Sequence, residues 1–214
     1  MPPTITPTET DALLVIDVQN DFCPGGALAV ADGDAVVAPI NRLARAFRHV
    51  VVTQDWHPAD HASFASRHPG KKPFETTTLA YGIQVLWPDH CVQNTPGADF
   101  HKDLAVPQAE LILRKGFRPA IDSYSAFAEN DRTTPTGLAS YLRERGLQRL
   151  FLAGLAFDFC VLYSALDGKR LGFDCSLIAD ACRSVDLAGS HAAAITEYAK
   201  AGVPLVESAA FASP

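Results

Sequence analysis

Long apolar runs are missing from this chain. The longest extends from Leu150 to Phe157 with Gly154 inside it, far short of the ~20 residues that cross a bilayer. No membrane partner is expected. A basic excess is missing too: 18 Lys and Arg stand against 24 Asp and Glu, a formal net charge of −6. A mildly acidic chain has no general attraction for a phosphate backbone, which argues against a nucleic-acid partner. Cysteine is sparse and odd in number, five in 214 residues. A disulfide framework is therefore not expected, and a reducing, cytoplasmic setting is. Met1 to Glu9 is rich in Pro and Thr, with no basic stretch leading an apolar one, so no secretory leader is read. Repeats, low-complexity tracts and charge runs are also absent. What remains is ordinary globular composition, 48% hydrophobic and 20% charged, which excludes wholesale disorder and a fibrous repeat. The length suits one α/β domain with a sizeable core. No internal boundary is visible, so residues 1–214 are read as a single domain.

Short apolar runs recur at Ala12–Asp17, His49–Gln54, Glu110–Arg114, Arg149–Ala153 and Cys175–Ala179. A weaker sixth, Val203–Glu207, contains Pro204 and suits a sheet edge. Runs that are apolar throughout, rather than alternating, point to strands covered on both faces. Helical patterns lie between most of them. Asp34–Arg48 carries an apolar stripe at Val36, Val37, Ile40, Leu43, Ala44 and Phe47. Thr134-Pro135 reads as a cap and first helical residue, with the helix running to Arg145 and stopped by Gly146. Phe159–Leu171 and Asp186 or Leu187 to Ala201 are two more, each followed by glycine. The expected architecture is a three-layer α/β domain whose mainly parallel, six-stranded sheet is flanked by helices. Asp55–Gln108 breaks this rhythm: it shows no convincing long element, yet holds five of the seven histidines and both tryptophans. A loop of that length with such content is expected to be functional.

In an open α/β sheet, ligands bind beyond the carboxyl ends of the strands. The residues found there are Asp17 after the first strand, Asp55-Trp56-His57 and His61 after the second, Lys115 after the third and Cys160 after the fourth. Cys160 opens a helix, where backbone N–H groups and the helix dipole favour a thiolate. A lone cysteine is more often inert packing, as are the other four here; Cys160 is separated from them by its strand-to-helix turn and its strand-end companions. Lys115 would favour the thiolate, and Asp17 could take the thiol proton and return it to a leaving amine. Taken singly, Lys115 could be a solvated lysine and Asp17 a turn residue. In an extended stretch Asp55 and His57 point the same way; His90 is a third candidate ligand and His61 a fourth. Mixed carboxylate and imidazole ligation suits zinc, iron or manganese.

The stretches Ile16–Phe22, Asp55-Trp-His-Pro-Ala-Asp-His61, Trp87-Pro-Asp-His90-Cys91, Gly97–His101, Lys115-Gly116, Asp122–Phe127 and Gly154–Val161 together resemble the nicotinamidases (pyrazinamidases) of the isochorismatase-like cysteine hydrolase superfamily. They occur in family order over about two-thirds of the chain. The resemblance implies that Asp17, Lys115 and Cys160 form a catalytic triad, and that Asp55, His57 and His90 hold one divalent metal ion, zinc first, with iron or manganese as alternatives. His61 matches a position that ligates in some relatives only. The resemblance further implies a cis peptide between Leu155 and Ala156, and an oxyanion hole from the Ala156 and Cys160 amides. Phe22 and Trp87 would sandwich a pyridine ring, with Tyr124 nearby. Phe157 stands where relatives often carry a smaller polar residue. The implied reaction is hydrolysis of nicotinamide to nicotinate and ammonia through a thioester, in NAD salvage. The residues alone leave two other readings open: a sister amidase acting on an N-carbamoyl or ureido compound, and a non-catalytic metal and thiol sensor. Oligomeric state is not readable from the sequence.

Overall fold

The computed structural model describes residues 4–212. The readings of Met1–Glu9 and of a domain spanning 1–214 therefore include residues 1–3 and 213–214, which lie outside the described residues. Six strands form one sheet: β1 (Asp11–Ile16), β2 (His49–Asp55), β5 (Leu111–Lys115), β6 (Arg149–Leu155), β7 (Asp174–Arg183) and β8 (Leu205–Val206). Their spatial order is β5-β2-β1-β6-β7-β8, and every pair is parallel. This is the expected architecture. The two remaining strands, β3 (Thr76–Leu79) and β4 (Gly82–Val85), form a separate antiparallel hairpin. They lie inside the Asp55–Gln108 region, which was expected to lack convincing long elements.

β1 shows why the sheet must be covered on both sides: all six of its residues are buried. Leu13 and Val15 face one core with Val50, Val52, Phe151 and Ala153. Ala12, Leu14 and Ile16 face the other with Val51, Leu150 and Leu152. The first core is closed by α1 (Val37–Ala44), through Ile40 and Leu43, and by Cys91, Ala98 and Phe100 of the long loop region. That region thus does the covering that a helix would do elsewhere. The second core is closed by α2 (Leu138–Glu144), α3 (Cys160–Arg170) and α4 (Ser190–Lys200).

α3 falls within one residue of its expected span at each end, and the other three helices are shorter than expected, each beginning late for a local reason. A 3-10 turn, Gly33–Val36, precedes α1. α2 begins after Gly137, not at Pro135: the Thr134 hydroxyl donates to Asp131 and Pro135 bridges to Ala128, so both are absorbed in a turn. A second 3-10 turn, Leu187–Gly189, precedes α4. β7 extends past the expected Ala179 through an irregularity in its pairing with β6.

The topology fixes the place of the site. From β1 the chain builds outward to β2 and β5, then returns to the other side of β1 as β6. The connections at the carboxyl ends of β1 and β6 therefore diverge and leave a crevice. At this point Ile16 pairs with Gly154. Gly154 has φ +123°, and a Cβ there would lie 2.1 Å from the Ile16 carbonyl oxygen, so only glycine permits this approach.

Candidate active site

Four strand ends supply the polar centre. Asp17 follows β1, Asp55 ends β2, Lys115 ends β5, and Cys160 opens α3 after the turn from β6. Asp55 and Lys115 are direct ladder partners. Lys115 is 1% exposed, so its ammonium must be satisfied by protein. Its Nζ lies 2.6 Å from Asp55 Oδ1 and 2.8 Å from Asp17 Oδ2, and donates to the Ser123 carbonyl at 2.9 Å and to Cys160 Sγ at 3.4 Å. The Asp17 contact is close but off the hydrogen-bond axis, so Oδ2 keeps no aligned donor. The other oxygen, Oδ1, accepts from Thr53 Oγ1 at 2.6 Å, and Thr53 Oγ1 in turn accepts from the Asp17 amide at 3.1 Å. Donor atoms of Asp17, Asp55 and Cys160 all lie within 4.8 Å of one another.

Burial dominates the electrostatics. It pulls the Lys115 ammonium down, but Asp17, Asp55 and Cys160 outweigh it and hold the pKa well above the ordinary value. Burial raises Asp17; Lys115 opposes this, and the Asp55 charge adds to it. Burial raises Cys160 well above a free thiol, against the lowering by Lys115. Burial thus opposes the thiolate that the helix start and Lys115 favour, and the same burial raises the neighbouring Asp17 carboxyl.

Asp55 faces two ways. Its Oδ2 lies 3.3 Å from His57 Nε2 and 3.7 Å from His90 Nε2. The opposite ring nitrogens are committed: His57 Nδ1 lies 2.8 Å from the Gly116 carbonyl and His90 Nδ1 2.8 Å from the Pro88 carbonyl. Those carbonyls fix the tautomer and turn both Nε2 lone pairs toward Asp55 Oδ2. Donors about 3.3–3.7 Å apart are what a tetrahedral ion with ~2.0–2.2 Å bonds requires, so this set fits a divalent metal. Gly116 makes the approach possible, since a Cβ there would lie 2.4 Å from His57 Cε1. Burial raises the Asp55 pKa, but Lys115 and His57 outweigh it, and the carboxyl is held well below the usual range. The His61 ring lies 4.3 Å from that of His57, tilted by 39°. Both its ring nitrogens meet protein oxygens, Ser63 Oγ at 2.7 Å and the Ile121 carbonyl at 3.2 Å. Burial, then His57, lowers its pKa to about 4. Ligand atoms of His57, His61 and Asp122 also lie within 4.8 Å of one another, so His61 keeps its place as the further candidate ligand.

Beside this centre lies a pocket with about 340 Å³ of space between atoms, part of it open to solvent. Asp55, His90 and Cys160 line it together with Phe22, Trp87, Tyr124 and Ala156. Tyr124 accepts from Trp87 Nε1 at 3.0 Å and from Gln84 Nε2 at 2.9 Å, which fixes the aromatic walls. Among the described residues, neither the Ala156 nor the Cys160 amide has a protein acceptor. The peptide between Leu155 and Ala156 is cis. Phe157 is not part of the pocket: it packs on His191 and Tyr198 of α4. Phe159 lines the wall instead, 4.9 Å from Trp87.

An isochorismatase-domain signature spans residues 11–210. This chain belongs to the isochorismatase family. A curated nicotinamidase from Acinetobacter baylyi is 52% identical to this family member over 197 residues, 92% of each chain. A solved nicotinamidase/pyrazinamidase from Acinetobacter baumanii shares 54% identity at a TM-score of 0.94, covering 94% of this chain and 98% of that one. The solved pyrazinamidase of Pyrococcus horikoshii in complex with zinc shares 35% identity at a TM-score of 0.75, covering 92% and 99%. The isochorismatase fold is thus shared over nearly the whole chain.

Several site residues carried no sequence signal of their own. Thr53 lies in mid-strand, Ser123 contributes only a carbonyl, and Leu28, Phe159 and Val185 join the pocket from three separate segments.

Proposed function

We infer that this isochorismatase-family chain is a nicotinamidase, a hydrolase that cleaves the amide of nicotinamide into nicotinate and ammonia. We propose that residues 1–214 act as one catalytic domain in the cytoplasm, in NAD salvage, with a small-molecule substrate and with Asp17, Lys115 and Cys160 as catalytic residues. One observation carries the reading: the Cys160 sulfur, in contact with Lys115 and beside the Asp17 carboxylate, opens into an aromatic pocket that Asp55 and His90 also line.

The chemistry follows from the mutual contacts of Asp17, Lys115 and Cys160. Asp17 Oδ2 takes the Cys160 proton, and Lys115 holds the thiolate formed. The thiolate attacks the amide carbon, and the Ala156 and Cys160 amides receive the developing oxyanion; loss of one such donor costs ~2.7–4 kcal/mol. Asp17 gives its proton to the departing nitrogen, the C–N bond breaks, and a thioester on Cys160 remains. Asp17 then takes a proton from a water that attacks the thioester carbon. The C–S bond breaks, Asp17 returns its proton to the sulfur, and the nicotinic acid formed gives its proton to the released ammonia and leaves as nicotinate. Phe22, Trp87 and Tyr124 hold the ring flat, which supplies proximity. Asp55, His57 and His90 would hold one divalent ion, zinc by preference, and when bound it would offer an open coordination position to a ring nitrogen. The Asp55 carboxylate joins that site to Lys115 through its second oxygen.

The test is ammonia release by the purified protein from nicotinamide, compared with N-carbamoyl compounds. Turnover of nicotinamide and pyrazinamide, lost in Cys160→Ala and Cys160→Ser with metal content unchanged, is expected. Preferential turnover of the N-carbamoyl compounds would assign a sister activity. Residual amidase activity in both variants would remove Cys160 as nucleophile.

A further inference from the structure

Asp158 is the acid of the nucleophile turn that plays no part in the chemistry above. It sits two residues before Cys160 and is 3% exposed. Its carboxylate accepts three hydrogen bonds: from the Val185 amide at 3.0 Å, the Asp186 amide at 2.8 Å and the Ser190 hydroxyl at 2.5 Å. The two amide donors lie on the segment that leaves β7 for α4, and Ser190 opens α4. Two further bonds tie the same turn to its surroundings: the Phe157 amide donates to the Arg183 carbonyl at 2.8 Å, and the Tyr198 hydroxyl donates to the Phe157 carbonyl at 2.7 Å.

The turn and the segment meet at the substrate pocket. Ala156, Phe159 and Cys160 line it from the turn, and Val185 lines it from the segment. Val185 follows the end of β7, where no sheet ladder holds it. The chain beyond it adopts positive φ at Asp186 (53°) and Ala188 (51°), a conformation that L-residues keep only when their surroundings enforce it. A carboxylate gripping two successive amides supplies that enforcement.

We propose that Asp158 is a positioning residue that fastens the Val185 wall to the nucleophile turn and so sets the width of the slot in which the substrate ring lies against Cys160. The proposal rests on the nicotinamidase reading for the identity of the ring. A carboxylate is required because all three partners donate. An asparagine has one accepting oxygen, and its NH₂ would face a donor, yet its shape is the same.

The experiment compares wild type, Asp158→Asn and Ser190→Ala. In Asp158→Asn, KM for nicotinamide is expected to rise at least tenfold while kcat falls less than threefold. Selectivity is read with a nicotinamide that carries one methyl group on the ring, meta to the amide. Its kcat/KM relative to that of nicotinamide is expected to rise at least fivefold, because a released wall admits the methyl group. Ser190→Ala is expected to move both in the same direction by less. Without substrate, hydrogen exchange at the Val185 and Asp186 amides is expected to accelerate at least tenfold in Asp158→Asn. A fall in kcat at unchanged KM and unchanged selectivity, in step with a loss of folded protein, would make Asp158 merely structural and overturn the proposal. Unchanged exchange at the two amides would overturn it as well. If wild type releases no ammonia from nicotinamide, the functional reading fails, and the exchange measurement still decides whether Asp158 holds the wall.

Discussion

At the scale of single residues, the groups that carry the proposed chemistry are those the sequence exposes, because each lies at the carboxyl end of an apolar strand or on the turn that follows it. Asp17, Lys115 and Cys160 are visible for that reason, as are Asp55 and His57 with their two-residue spacing. Residues that act by orienting them are silent in the sequence. Thr53 is the example: a threonine inside a β-branched run reads as strand, yet its hydroxyl bridges the Asp17 amide and carboxylate. Thr53→Val keeps the shape and removes both bonds. A hydrogen bond to a charged group is worth about 1.5–3 kcal/mol, so kcat is expected to fall about 10–100-fold, with soluble yield and metal content kept. Steady-state kinetics beside elemental analysis would check it; an unchanged kcat would show that Lys115 alone aligns Asp17. The Phe157 and Phe159 pair teaches the same limit. Both are aromatic and two apart across an irregular turn, and only the backbone path decides that Phe159 meets the pocket while Phe157 meets α4.

At the scale of elements, the sheet was legible because buried parallel strands leave near-continuous apolar runs. The β3–β4 hairpin was not, since Thr76–Leu79 alternates between exposed and half-buried and carries too little apolar content to stand out. Two predictions belong here. Gly154→Ala forces a Cβ against the Ile16 carbonyl at the crevice between β1 and β6. A loss of about 3 kcal/mol is expected, a drop in Tm of about 6–12 °C for a chain of this length, measurable by thermal unfolding. An unchanged Tm would mean that the two strands separate there without cost. The second concerns the opposite ends of the same strands. Arg149, which opens β6, grips Asp11, which opens β1, through both carboxylate oxygens at 2.9 and 2.5 Å. Burial raises the Asp11 pKa, but the arginine and Thr8 bonds outweigh it and lower it overall. A lowered folded-state pKa means stability that is full above the unfolded value of about 3.9 and is lost as pH falls through the lower folded value. Asp11→Asn is therefore expected to cost about 1–2 kcal/mol at pH 7 and progressively less below pH 4. Denaturant titrations at pH 7 and pH 3 would show it, and an equal difference at both would refute the linkage.

At the scale of the whole molecule, the long region after β2 is both a covering layer for the sheet and the source of the histidines. His57 is held by the Gly116 carbonyl after β5, and His90 by the Pro88 carbonyl within the loop itself. An ion shared by Asp55, His57 and His90 would therefore staple the loop to the ends of β2 and β5. Ligand binding to the folded state alone stabilises by RT ln(1 + [L]/Kd), about 2.7 kcal/mol at a hundredfold excess over Kd. Removal of metal by a chelator is then expected to lower Tm by about 5–10 °C and to abolish ammonia release, while far-UV circular dichroism stays unchanged because the sheet and helices are packed independently of the loop histidines. Added zinc should restore both. His90→Ala should mimic the chelated protein, with no further loss of Tm on chelation. A chelator that leaves Tm and turnover untouched would show that Asp55 serves Lys115 alone, and that the two imidazoles, though aimed at its second oxygen, are an ion-free hydrogen-bonded cluster.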